Sequence, residues 1–378
     1  MDPTPTIASR RWRGPLGSGK SRALRQQVSD AVASGIRPIS WLPASSDIGL
    51  CTERVEFKDQ KIAESLGTIE LTGRLVRDLS SGERQRVRLA FALSGDPKLV
   101  ILDEPCRHLD PSHIAALNST LALLTRSGTA IAVSDIRCQL DAALFDVEVP
   151  SAESGSVETS NIERSIAGHV GPRCDASNQQ RSALELVIDI PFLLSRPSRP
   201  TGKLTIKIER RSVVVVSGCN GSGKTSLLEA ISRSCKARRV ACGYSRQEPE
   251  HHVFAATAAE ELDEVSSLSI DSGWGGDAFL QHMDLVRWLA APVPRLPHGV
   301  LCLIGTAIAL RLGRDLVLLD EPTQGLDEQT ARALAAELVG CAASGARIVV
   351  ASHDPELLRV ATEVWTVSGG DLVTGAVA

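Results

Sequence analysis

Gly218-Cys219-Asn220-Gly221-Ser222-Gly223-Lys224-Thr225 is answered further along the chain by Leu316-Val317-Leu318-Leu319-Asp320-Glu321-Pro322. The first segment fits the pattern GxxxxGK[ST]. Its glycines let backbone N–H groups point inward around a β-phosphate, and the helix that follows adds its positive end. Lys224 reaches the β/γ oxygens, Thr225 offers a hydroxyl to Mg²⁺, and Ser226 follows in the first helical turn. The second segment is a short all-apolar run, as expected of a strand covered on both faces. It ends in two carboxylates: Asp320, suited to a metal's water shell, and Glu321, suited to polarising an attacking water.

Working outward, Leu184–Ile190, Leu204–Ile208 and Val213–Val216 read as strands before the Gly-rich loop. A helix is expected from about Thr225 to Arg233, another over Ala331–Gly340, and a buried strand over Arg347–Val350. Such alternation gives a mostly parallel sheet. The same pair of signals occurs earlier. Gly14-Pro15-Leu16-Gly17-Ser18-Gly19-Lys20-Ser21 fits the loop pattern, and Leu99–Pro105 carries Asp103 and Glu104 at its end. Little chain precedes Gly14, and Ser9–Arg13 reads as a poor buried strand, so the first half is expected to be abbreviated at its N-terminus. Domains are placed at 1–149 and 182–378, with a flexible Ser/Glu/Asn/Gln-rich linker over 150–181.

Apolar residues make up 43% of the 378, enough to fill two cores, while aromatics are only 3%. Lys and Arg total 41 against 45 Asp and Glu, which argues against a dominant nucleic-acid surface. The nine cysteines form no CxxC pair and read as reduced thiols. Met1–Lys20 has no apolar stretch of a secretory signal, and the longest apolar segment, Leu301–Leu312, is too short to span a bilayer. A soluble chain is expected.

These motifs resemble the ATP-binding-cassette (ABC) ATPases over nearly the whole chain outside the linker. Leu79-Ser80-Ser81-Gly82-Glu83-Arg84-Gln85-Arg86 matches the family's LSGGQ-like signature. Leu296-Pro297-His298-Gly299-Val300 stands as far before Asp320 as Leu79 stands before Asp103, and is a damaged copy. Tyr244-Ser245-Arg246-Gln247-Glu248-Pro249-Glu250, followed by Phe254, resembles the glutamine loop of energy-coupling-factor (ECF) importers of vitamins and metals. His353 in Ala351-Ser352-His353-Asp354 matches the switch histidine. In the first half no Gln lies in Val28–Asp59, and Asp135 is read at the switch place.

The resemblance implies an α/β fold of two tandem P-loop ABC domains, each a RecA-like core with a helical subdomain. It implies ATP and Mg²⁺ as cofactors, and intramolecular pairing of the halves. One composite site takes Gly218–Thr225, Gln247, Asp320, Glu321 and His353 from the second half, and Ser80, Ser81, Gly82 and Glu83 from the first. Glu321, His353, Gln247 and Lys224 are its catalytic set, with Thr225, Gln247 and Asp320 at the metal. The other site has Gly14, Gly17, Ser18, Gly19, Lys20 and Ser21, with Asp103 and Ser21 at a metal, but meets Pro297 and His298. Asp135 would repel the developing phosphate charge there. The expected role is to energise an ECF-type importer through its T-component and substrate-binding component, peripheral on the cytoplasmic face of the cell membrane, with no nucleic acid partner. A soluble tandem ABC protein acting on ribosomes or another assembly, or an inactive remnant, are the alternatives.

Overall fold

The computed structural model describes residues 8–13, 20–43, 54–137, 139–150, 183–189, 203–248, 255–268, 274, 276–368 and 371–376. The chain divides into two compact units, Met1–Ser156 and Val157–Ala378. The expected linker lies, past Pro150, outside the described residues.

In the first unit the elements run β1 (Arg10–Arg13), α1 (Lys20–Ala33), β2 (Ile39–Leu42), α2 (Gln60–Ser65), α3 (Ser81–Leu93), β3 (Leu99–Asp103), α4 (Pro111–Arg126), β4 (Ala130–Ser134) and β5 (Val147–Pro150). The five strands form one sheet in the order β2-β3-β4-β1-β5, every pairing parallel. The central strands Leu-Val-Ile-Leu-Asp and Ala-Ile-Ala-Val-Ser are buried throughout. Helices cover both faces of such a sheet, so their strands read as continuous apolar runs.

The second unit runs β6 (Leu184–Asp189), β7 (Lys203–Ile208), β8 (Ser212–Ser217), α5 (Lys224–Arg238), β9 (Cys242–Ser245), α6 (Ala258–Leu268), α7 (Gly276–His282), α8 (His298–Leu312), β10 (Leu316–Asp320), α9 (Glu328–Ala343), β11 (Arg347–Ala351), α10 (Pro355–Val360), β12 (Glu363–Ser368) and β13 (Asp371–Ala376). Its main sheet is ordered β13-β12-β8-β11-β10-β9. The five strands from β12 to β9 therefore repeat the first unit's order, and β13 adds an antiparallel edge. Of the three strands expected before the Gly-rich loop, Val213–Val216 falls within β8 of this sheet, and the other two do not join it. β6 and β7 pair antiparallel with each other, and their Leu186, Ile188, Ile206 and Ile208 pack into the core with α5 and β8.

Ser9–Arg13 departs from expectation. Rather than a poor strand, β1 is an interior strand paired with β4 and β5. Trp12 fills the core under α1 beside Leu24 and Leu99. Arg11 is buried, yet its guanidinium donates to the Leu140 carbonyl (2.7 Å), pairs with Glu148 and lies 5.2 Å from the centre of the Phe145 ring. A buried charge persists when paired and hydrogen-bonded in this way.

Leu-Asp-Pro and Leu-Asp-Glu steps start the helices that follow the carboxylate strands. Asp110 accepts from the His113 N–H (3.0 Å) at the start of α4, and Asp327 from the Thr330 N–H (2.8 Å) at the start of α9.

Candidate functional site

At the end of β8 the chain turns through residues 218–223 into α5. Gly218 has φ 156°, and a Cβ there would sit 2.4 Å from the Val367 carbonyl oxygen and 2.6 Å from Ser222 Oγ. Only glycine fits. Gly223, at φ 105°, is the N-cap of α5, so the helix begins at Lys224 with its unpaired N–H groups toward the loop. Lys224 is buried and holds its ammonium back against the loop, donating to the Gly218 carbonyl (2.8 Å). Asn220, Gly221 and Ser222 complete the loop, while Thr225 and Ser226 lie in the first turn of the helix.

β10 delivers the carboxylates. Glu321 takes a left-handed backbone (φ 47°) and anchors its N–H on the Ala351 carbonyl (2.8 Å). Its Oε1 lies 3.2 Å from His353 Nδ1 and 3.8 Å from Lys224 Nζ, and its Oε2 accepts from Ser352 Oγ at 3.3 Å. The hydrogen bond to Glu321 pushes the His353 pKa above its ordinary value. Asp320 is pushed up to about 7, first by burial and then by the Glu321 charge, while the neighbouring Thr225 hydroxyl pulls it down. Among the described residues, both Asp320 carboxylate oxygens are buried without a hydrogen-bond partner of normal geometry. An acceptor-only carboxylate with unmet lone pairs beside a hydroxyl fits a hydrated divalent cation. Gln247 is half-buried just beyond β9; Pro249, Glu250 and Phe254 lie outside the described residues.

The damaged signature opens α8. Pro297 is the N-cap and supplies no side-chain cap. His298 is turned onto its own unit, with Nε2 3.2 Å from Gln324 Oε1 and 3.3 Å from Cys302 Sγ. A Cβ at Gly299 would meet the Gly325 carbonyl oxygen at 2.5 Å, so the helix start rests directly on that turn.

The first unit builds the same frame with different chemistry. Gly14, Gly17, Ser18 and Gly19 lie outside the described residues. Lys20 opens α1 and is buried, with Ser21 next to it. Glu104 has the same backbone twist as Glu321 (φ 52°), and its N–H donates to Ser134 Oγ (3.0 Å). Ser134 Oγ in turn donates to Asp103 Oδ1 at 2.5 Å. The Glu104 carboxyl is pushed up to about 8 by burial and then by the Asp103 charge, with Lys20 pulling it down.

The intact signature opens α3 as a capping box. Ser80 Oγ accepts from the Glu83 N–H (3.3 Å), and Glu83 Oε2 accepts from the Ser80 N–H (2.8 Å). Arg74 holds Glu83 from the other side (2.8 Å). Ser81 and the buried Gly82 form the first turn.

A family profile described as ABC transporter matches residues 45–107 and 202–324, spanning the signature of one half and the phosphate loop and carboxylate strand of the other. A second profile, of an AAA domain, matches residues 290–359. Among curated proteins, one of Treponema denticola named as an ABC transporter ATP-binding protein is 23% identical, with 86% of this chain and 74% of that one covered. A Bacillus subtilis protein named for HMP/thiamine import is 22% identical, with 88% and 70% covered. Among solved structures, a model of ribosome-bound archaeal Pelota and ABCE1 superposes with TM-score 0.65 at 20% identity, over 95% of this chain and 72% of that one. The RNase-L inhibitor gives TM-score 0.57 at 19% identity, covering 95% and 83%.

The profile match and the two repeated lobes support a tandem ABC-type ATPase. Within that frame, strand register corrects one expectation. Asp103 pairs with Ser134, and Asp320 with Ala351. The Asp135 N–H donates to the Trp12 carbonyl (3.4 Å) as the Ser352 N–H does to Val216 (3.1 Å). Asp135 therefore stands where Ser352 stands, and the ABC switch position of the first half is Ile136. Asp135 is engaged elsewhere: burial raises its pKa, against the pull of backbone hydrogen bonds, including the Leu140 N–H to its Oδ2 (2.8 Å), and then of the Arg11 and Arg13 charges. Reading from the shared serine placed the motif one residue out. Sequence reasoning also passed over Ser352, whose hydroxyl bridges the Asp354 N–H (3.1 Å) and Glu321. The serine's place directly before the switch histidine was the available signal.

Proposed function

We propose that this ABC tandem hydrolyses MgATP at one site, built on the second half, and uses the cycle to move a partner. The observation that carries this reading is the Lys224–Glu321–His353–Ser352 cluster, opposed to a first half with Ile136 at the switch and a Glu104 whose pKa burial and the Asp103 charge push upward. Glu321 is the group that orients the attacking water. His353 steadies that carboxylate and offers a donor to the γ-phosphate, and Lys224 turns from its loop carbonyl to the β/γ oxygens. Thr225, Asp320 and Gln247 would hold Mg²⁺, whose charge offsets that of the β- and γ-phosphates. In the ATP-bound state Ser80, Ser81 and Gly82, presented by the capped start of α3, supply the signature contacts. The first half keeps Lys20, Ser21 and Asp103, enough to hold nucleotide as a clamp with little turnover.

Two loads are open to such an engine. A soluble assembly is supported by fold likeness over 95% of the chain to proteins whose names place them on the ribosome, and these likenesses back this reading better than import. Among the described residues no helix is long and apolar enough to cross a membrane. Import of a vitamin or metal by an ECF-type complex is supported by the names of sequence relatives, including one for HMP/thiamine import. Fractionating the tagged full chain from native cells, with ATP present, decides between them. Co-migration with ribosomes on a salt-containing gradient establishes the soluble reading. Co-purification with integral membrane proteins after detergent extraction establishes import.

A further inference from the structure

Tyr244, the protein's single tyrosine, carries a buried hydroxyl with no hydrogen-bond partner among the described residues. It lies on β9 in register with Leu318, two residues before Asp320 on the neighbouring strand. Its ring packs on the same core as Leu316 and Leu318, so it shares the α5-facing side of the sheet with Asp320. Burial raises its pKa, and among the charges Asp320 raises it most, then Glu229. Arg246 fixes the ring: its guanidinium lies 5.3 Å from the ring centre and 3.4 Å from Glu229 Oε1.

Two incompletely satisfied buried groups thus share one side of the sheet, on neighbouring strands. Asp320 has two buried oxygens that can only accept, and Tyr244 has a buried group that can donate. Phenylalanine would fill the same volume without the cost of an unpaired hydroxyl. The first half supplies an internal comparison. There Trp41 takes the register place of Tyr244, opposite Ile101, and Asp103 is satisfied by Ser134. Among the described residues, such an unsatisfied pair is found in the half that carries Glu321 and His353 and not in the other.

We propose that Tyr244 is a positioning residue for the divalent-cation shell: its hydroxyl donates, through a bridging water, to the Asp320 carboxylate and fixes that carboxylate toward the metal's waters. This rests on the MgATP reading of the site. Outer partners of this kind typically change metal affinity by about 10–100-fold. The test uses Mn²⁺, followed by electron paramagnetic resonance, titrated into the purified full chain with saturating ADP. Tyr244→Phe is expected to bind Mn²⁺ about tenfold more weakly, with ADP affinity in EDTA unchanged. Tyr244→Trp, the first half's residue, should behave likewise and serves if the Phe variant folds poorly. Equal Mn²⁺ affinity in wild type and variants, or a parallel loss of ADP affinity in EDTA, would overturn the proposal and leave Tyr244 a packing residue. Failure of the wild type itself to take up Mn²⁺ with ADP would instead remove the MgATP reading, and this inference with it.

Discussion

At Glu104 the carboxyl is shut in with Asp103 and Asp135, and its pKa rises from the ordinary 4.5 to about 8. The folded state therefore keeps a proton that the unfolded chain gives up near pH 4.5. The stabilisation this confers is full on the acid side and is lost as pH climbs toward 8. A neutral carboxyl is also a weak acceptor for an attacking water, which fits a first half that holds nucleotide more than it turns it over. Thermal unfolding of the nucleotide-free protein between pH 5 and 8.5 should show the melting temperature falling with pH, and Glu104→Gln should flatten that fall. Parallel slopes in the two proteins would mean the proton is not held there. At this scale the sequence was a good guide wherever a motif fixes both residue type and spacing: Lys224, Asp320, Glu321 and His353 are found together. It misled at Asp135, because a single sequence offers no register. Nor did it reveal Ser352 or Tyr244, whose significance lies in unmet or shared hydrogen bonds.

Among the elements, α3 and α8 share a framework but start differently. Both follow a buried leucine, Leu79 or Leu296, and a short 3₁₀ turn, Val76–Asp78 or Val293–Arg295. α3 has the reciprocal cap of Ser80 and Glu83; α8 begins at Pro297 with no side-chain cap and leans on Gln324 through His298. Ser80→Ala should cost about 1 kcal/mol of first-unit stability in urea unfolding, whereas Pro297→Ala should cost far less, since no cap is lost. Comparable losses would contradict the assignment of the cap. Helix and strand cores were legible from their apolar runs, with ends extended by a few residues: the helix expected over Thr225–Arg233 runs Lys224–Arg238. The exception was β1. Its Arg-Arg-Trp-Arg defies a hydrophobicity reading because Glu148, Leu140 and Phe145, far along the chain, make a buried guanidinium tolerable.

On the scale of the whole molecule, the repeat read from the sequence is a repeat of topology. β2-β3-β4-β1-β5 and β9-β10-β11-β8-β12 are the same parallel order built twice. What differs is chemistry at matched positions: Ile136 against His353, Trp41 against Tyr244, and Ser80 with Ser81 against Pro297 with His298. The one-site proposal reads these differences as a division of labour, with the second half carrying the chemistry and the first presenting the signature. Steady-state ATP turnover by wild type, Glu321→Gln and Glu104→Gln under identical conditions tests that division directly. Glu321→Gln should lose about 100-fold or more, while Glu104→Gln should stay within about twofold of wild type. Equal losses in the two variants, or activity that survives Glu321→Gln and disappears with Glu104→Gln, would contradict it.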